Sequence, residues 1–291
     1  DSPAGAKSRP QPQPRHTVET SERVHPPDPS PKQKEGKSAS PREKSPEGGH
    51  RSAWRGGSPV KVHCFVTGTD TGVGKTLVSS AMLSSLAASG LQAVGMKPVA
   101  AGLDFIDGAW RNEDVEQLKA AGNVDAQLAL RCPYLLRAPI SPHLAAQEED
   151  VRIAPQHLLS AYEQLARQAD AVIVEGVGGF RVPLADGFDS ADLAVALGLQ
   201  VVLVVGLRLG CLNHALLTAE AIRARGLVLA GWVGSVIDPR MLALEANIET
   251  LGARLDAPLL GVVPHLAVPE AARAAPHLDL RALRGTAALA A

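Results

Sequence analysis

The chain has 291 residues, 45% of them hydrophobic but only 3% aromatic, with a formal net charge of −1. That length allows one large domain or two small ones around an aliphatic core, and the near-zero charge gives no basis for binding nucleic acid or an anionic membrane. Three cysteines, Cys64, Cys132 and Cys211, are too far apart for a metal-ligand motif and read as the reduced thiols of a cytoplasmic protein.

The chain opens with a segment of different character. Up to Pro59 it holds 11 of the 22 prolines, 11 basic against 7 acidic residues, and few apolar residues beyond Val18, Val24 and Trp54. Such a stretch cannot bury enough surface to offset the entropy of ordering it. Residues 1–58 are therefore expected to be a disordered tail. They lack the apolar centre of a secretory signal and carry too many acids for a transit peptide.

A folded domain is expected over residues 60–285. Apolar runs of strand length recur at 62–68, 93–99, 171–176, 200–206, 227–233 and 258–263. They are rich in Val and Leu and hardly alternate, as strands buried on both faces of a parallel sheet do. The longest, around 199–207, is far too short to span a membrane. Helical patterns lie between them at 76–89, 154–168, 190–197, 212–225 and 240–255, several closing at Gly90, Gly198 or Gly226. This order predicts an α/β fold: a mostly parallel, twisted sheet flanked by helices, with ligands at the carboxyl ends of the strands.

The first strand runs into Gly68-Thr69-Asp70-Thr71-Gly72-Val73-Gly74-Lys75-Thr76. Glycines let backbone N–H groups converge on an anion, and the helix that follows adds its positive end. Five residues separate Gly68 from Gly74, one more than the common phosphate cradle has. Lys75 is placed to meet nucleotide phosphates and Thr76 to offer a hydroxyl to Mg²⁺. Lys97, with Pro98 behind it, closes the second strand at the same sheet edge; taken alone it reads more readily as a lysine reaching solvent. Glu175 closes a buried strand before a glycine-rich turn, where a second Mg²⁺-ordering carboxylate belongs. Asp114 reads either as a third metal oxygen or as an exposed acid at a helix start.

At these residues the chain resembles dethiobiotin synthetase, the ATP-dependent ring-closing enzyme of biotin synthesis. The likeness spans about 62–283 and rests on separated stretches: FVTGTDTGVGKT with the five-residue gap, MKPVAAG, RNEDVEQL, SPHLAAQ, VEGVGGFRVPL, GCLNHALLT and APLLGVVPHL. It implies a phosphate-loop (P-loop) NTPase-like fold and a homodimer. It implies ATP as co-substrate, Mg²⁺, CO₂ and 7,8-diaminopelargonic acid, one amine of which becomes a carbamate that ATP phosphorylates before the second amine closes a cyclic urea. The resemblance assigns Lys97, Lys75 and Thr71 to the reacting groups, and Thr76, Asp114 and Glu175 to the metal. Along the nucleotide it puts Gly72, Val73, Gly74, Gly176, Val177 and Gly178. Ser235, Pro264, His265 and Leu266 fall beside the base. Ala101, Ser141, Gly210, Cys211, Leu212 and Asn213 line the substrate, the last four at a helix start that reaches across the dimer. Asn213 also reads as a plain N-cap and Cys211 as a packing residue.

The chain departs from the family at Gly72, where members carry an acid, at Ala101, where a hydroxyl residue is common, and at Ser235-Val236, where Asn-Asp is common. Altered base selectivity is expected, because serine has the shorter reach. Two other readings differ in sequence. A cobyrinate-type ligase needs a glutaminase domain that the roughly 30 residues after Leu260 cannot supply. A partition-type switch ATPase carries an extra lysine early in the cradle, and residues 66–70 contain none.

Overall fold

The computed structural model describes residues 61–284, and the tail expected over 1–58 lies outside them. The elements run β1 (Val62–Gly68), α1 (Lys75–Ala88), β2 (Ala93–Met96), β3 (Val99–Ala101), β4 (Asp104–Ile106), β5 (Ala109–Arg111) and α2 (Glu113–Ala121). Next come α3 (Leu128–Arg131), β6 (Tyr134–Leu136), α4 (Pro142–Glu148), α5 (Pro155–Gln168), β7 (Ala171–Glu175), β8 (Pro183–Ala185), β9 (Phe188–Asp189) and α6 (Ser190–Leu197). The chain finishes with β10 (Gln200–Leu207), α7 (Cys211–Ala224), β11 (Leu229–Val236), α8 (Leu244–Arg254), β12 (Leu259–Val263) and α9 (Ala271–Ala274).

The six apolar runs all become strands of one sheet, in the order β12-β11-β10-β1-β7-β2, with every pairing parallel. Side chains alternate between two buried faces, so both parities had to be apolar. Val62, Cys64 and Val66 of β1, Ile173 of β7 and Val202 and Val204 of β10 pack under Val78, Ala81 and Met82 of α1. Phe65, Val172, Val174, Val201, Leu203 and Val205 face the opposite layer, built from α4 to α7. Each fully buried aliphatic side chain contributes about 1.5–3 kcal/mol relative to exposure. From β1 the chain crosses to β2, returns to β7 and only then passes to β10 on the other side. The strand order therefore reverses at β1, the position where open parallel sheets bind ligands.

The helices match expectation closely, with three informative differences. The second strand stops at Met96 instead of running to Val99, because Pro98 has no N–H to give; the chain steps out and β3 pairs with β6 in a separate two-stranded sheet. Helix α8 begins at Leu244, not near 240, since Ala243 sits in the left-handed region at φ 54° and interrupts the pattern. The hairpins β4–β5 and β8–β9, and helices α2 and α4, fall in stretches without a long apolar period.

Candidate active site

The phosphate loop leaves β1 at Gly68 and enters α1 at Lys75. A Cβ on Gly68 would stand 2.7 Å from the Val73 side chain and 3.0 Å from that of Lys75, and Gly74 has φ 86° with Ser235 Oγ 2.7 Å from where a Cβ would lie. Both positions exclude other residues, one by crowding and the other also by backbone geometry. Asp70 accepts the Thr71 N–H at 2.7 Å and is gripped by Arg208 at 2.8 Å. That ion pair joins the loop to the segment opening α7, and nothing in the sequence pattern signalled it.

Around Thr76, in the first turn of α1, four elements converge. Glu175 ends β7 fully buried and in register with Val66 of β1. Asp114 is the second residue of α2, whose start is fixed by Asn112: its side chain accepts the Val115 N–H at 3.2 Å and donates to Gly102 O at 2.8 Å. Asp114 is thus a helix-start acid whose side chain also reaches Thr76 and Lys97. Lys97 follows β2, its own N–H bonded to Arg131 O at 2.7 Å, and its side chain is only 4% exposed.

The Lys97 ammonium donates to Glu175 Oε1 at 2.6 Å and Asp114 Oδ2 at 2.8 Å. The Thr76 hydroxyl lies 2.7 Å from Asp114 Oδ1 and 2.9 Å from the same Glu175 oxygen, and one proton serves only one of them at a time. Glu175 Oε2 is buried without a hydrogen-bond partner among the described residues. The cluster therefore has more oxygen lone pairs than donors, and all the unsatisfied atoms are hard oxygens, the donor set Mg²⁺ prefers. The residues fit the metal. Burial works against the Lys97 charge, but Glu175 and Asp114 outweigh it and hold its proton affinity above the ordinary lysine value. For Asp114, burial is likewise outweighed by Lys97, and its carboxyl titrates below the usual range. Lys75 is the opposite case: burial and then the Lys97 charge lower it, while its ammonium reaches a single carbonyl, Asp70 O, at 3.2 Å.

The other expected residues divide by distance from this cluster. Gly176 binds Val66 O through its N–H at 2.9 Å, and Lys97 reaches its carbonyl at 3.4 Å. Gly178 turns at φ 59° with Thr71 Oγ1 3.4 Å from a would-be Cβ, so Gly176, Val177 and Gly178 run beside the cradle. Ser235, the last residue but one of β11, lies against Gly74. Pro264 and His265 are exposed and Leu266 half-buried just past β12, on the same sheet edge but three strands from β1. Ala101 ends β3, and Ser141 caps α4 without a side-chain bond. A cavity of about 270 Å³ opens next to Asp114, between Gly102–Asp104 and Asn112. A larger groove, about 320 Å³ along Ser85 and 278–281, lies at the far end of α1 from Lys75. Helix α7 opens on Gly210 at φ 95°, which makes Gly210 the N-cap in place of Asn213, an exposed residue two positions inside the helix. The Cys211 thiol is buried in the core, as a packing residue should be, and its N–H is bonded to Arg208 O at 3.0 Å.

A strand, a glycine-bounded loop and a helix carrying lysine and threonine, set at the sheet's reversal point beside two carboxylates, define a phosphate-loop, nucleotide-dependent enzyme. Residues 63–273 match the family model described as an AAA domain. The ATP-dependent dethiobiotin synthetase BioD of Ralstonia nicotianae is 58% identical over 225 residues, 77% of this chain and 98% of that protein. The namesake protein of Aromatoleum aromaticum is 57% identical over 216 residues, 74% of this chain and 96% of its own. The chain belongs to the ATP-dependent dethiobiotin synthetase family and is a ligase of biotin synthesis. Among solved structures, the septum site-determining protein MinD of Pyrococcus horikoshii, complexed with Mg-ADP, aligns with a TM-score of 0.46 at 18% identity. That alignment covers 70% of this chain and 81% of that one.

Proposed function

We propose that the chain closes the ureido ring of dethiobiotin from 7,8-diaminopelargonic acid and CO₂, converting ATP to ADP and phosphate. The observation that supports this best is the Lys97–Thr76–Asp114–Glu175 cluster beside Lys75 and the phosphate loop. One substrate amine adds to CO₂ and loses a proton, giving a carbamate. A carbamate oxygen attacks the γ-phosphorus, the bond to ADP breaks, and a carbamic-phosphoric anhydride results. The second amine then attacks the carbonyl carbon, phosphate leaves with the bridging oxygen, and the amine proton is lost.

The first phosphoryl step brings two anions together, so fixed cations govern it. Lys75 and Lys97 supply them on either side of the transferring group, and Thr71 hydrogen-bonds nearby. Thr76, Asp114 and Glu175 would hold Mg²⁺, which when bound supplies charge neutralisation at the β- and γ-phosphates. Gly72, Val73, Gly74 and Gly176–Gly178 line the phosphates, while Ser235, Pro264, His265 and Leu266 meet the base. Holding both reactants in one geometry supplies much of the rate, without a covalent enzyme intermediate.

The substrate contacts proposed are Ala101, Ser141 and the α7 opening, Gly210 to Asn213. Two copies assemble so that this opening from one serves the other. Exposed Leu209, at 94%, and Leu217 on α7, at 56%, give that face the apolar character an interface needs. The three buried, unpaired thiols suit a cytoplasmic enzyme. No helix among the described residues is long and apolar enough to cross a membrane. The test is ADP release with diaminopelargonate and bicarbonate together against either omitted. Release is expected only with both, and turnover indifferent to diaminopelargonate would remove the proposal in favour of a simple ATPase.

A further inference from the structure

We propose that the Lys97 ammonium occupies the divalent-cation position while nucleotide is absent, so that metal and nucleotide enter as a unit instead of metal entering first. The proposal rests on the reading of Thr76, Asp114 and Glu175 as the metal residues. The carboxylate oxygens that face one another across the site are already engaged: Asp114 Oδ2 and Glu175 Oε1 by Lys97 at 2.8 and 2.6 Å, and Asp114 Oδ1 by the Thr76 hydroxyl at 2.7 Å. An ammonium bridging two carboxylates stands where a cation shared by them would stand. Of the four oxygens of Asp114 and Glu175, the one without a partner among the described residues, Glu175 Oε2, is not the one turned toward Thr76.

Charge balance gives the same answer. Lys75 and Lys97 against Asp114 and Glu175 bring the cluster to neutrality, with Lys75, Lys97 and Glu175 buried. A divalent cation entering alone would leave an uncompensated double positive charge beside the buried Lys75, Lys97 and Glu175, which is disfavoured. It would also strand the displaced ammonium, whose remaining acceptor among the described residues is Gly176 O at 3.4 Å. A nucleoside polyphosphate removes both obstacles: it brings the missing negative charge and gives the released ammonium a phosphate oxygen to bind. The same movement that opens the metal position thus delivers Lys97 to the reacting group. Lys75, held by one carbonyl, needs no such displacement.

Mn²⁺ binding, followed by its electron paramagnetic resonance signal, tests this without turnover. In the wild-type chain, Mn²⁺ alone should bind weakly, and ADP should tighten it by about tenfold or more, a normal size for a coupling between two sites. In Lys97→Met, Mn²⁺ alone should bind about tenfold more tightly than to wild type, and the ADP effect should shrink correspondingly. Equal Mn²⁺ affinity in the two proteins would overturn the proposal. Should Lys97→Met fail to fold, wild type still decides: Mn²⁺ affinity unchanged by ADP contradicts it. Glu175→Gln separates the underlying reading. Loss of Mn²⁺–ADP binding in that variant upholds the metal residues whatever Lys97 does, and unchanged binding removes both.

Discussion

Lys75 and Lys97 bring the same charge into the same site but are held in different ways. Lys75 has one carbonyl for a partner and a depressed proton affinity; Lys97 has two carboxylates and a raised one. Lys75 could be singled out in sequence from the Gly-Lys-Thr junction, whereas the strand-end place of Lys97 favoured a lysine reaching solvent and only the family resemblance singled it out. The pairing of Lys97 with both acids was not legible in sequence, since its partners are 17 and 78 positions away and only the fold joins them. Lys75→Ala and Lys97→Ala should each lower kcat/KM for ATP at least about 100-fold, the scale on which electrostatic stabilisation of a transferring group operates. Lys97→Gln, one atom shorter and uncharged but still able to hydrogen-bond, should melt at a lower temperature and lose turnover to a similar degree. Steady-state kinetics beside a thermal melt checks both, and near-normal turnover in Lys97→Gln would remove the ammonium from the chemistry.

Elements set the precision of these groups. The Gly74 turn must admit a left-handed backbone and leave room for Ser235, so Gly74→Ala should weaken ATP binding about tenfold or more by calorimetry. Ser235→Ala, which removes only a hydroxyl, should cost far less. At the other end of β1, His63 joins the strand to α5 through a 2.8 Å contact between Nδ1 and the Tyr162 hydroxyl. Burial first, then the Lys61 charge, lower the His63 pKa to about 4. Between about pH 6.5 and that value the unfolded chain binds a proton at this histidine and the folded chain does not, so stability falls as pH drops, by up to about 3 kcal/mol in all. Urea unfolding at pH 7 and pH 4.5 should show that loss reduced in His63→Gln. The major strands could be read because most are buried on both faces, which leaves an unmistakable apolar run. The short elements between β2 and α5 could not, because pieces of three or four residues carry no period and owe their form to contacts elsewhere, as β3 does to β6.

At the scale of the molecule, β1 matters because strand order reverses there, and the sequence of apolar runs implied a parallel sheet without giving that order. The reversal brings β2, β7 and α1 together, and with them Lys97, Glu175 and Thr76. The Ralstonia relative reaches 98% of its length within 225 residues of the alignment. A chain beginning at Pro59 should accordingly keep the turnover and melting temperature of the full chain, which activity and calorimetry on the shortened protein would check. The step that defines the proposed reaction is attack of a carbamate oxygen on ATP at this reversal point. Its most direct test uses bicarbonate labelled with ¹⁸O, followed by mass analysis of the phosphate released. One labelled oxygen per phosphate is the predicted outcome, because the carbamate oxygen leaves with phosphorus when the ring closes; phosphate carrying none would contradict it.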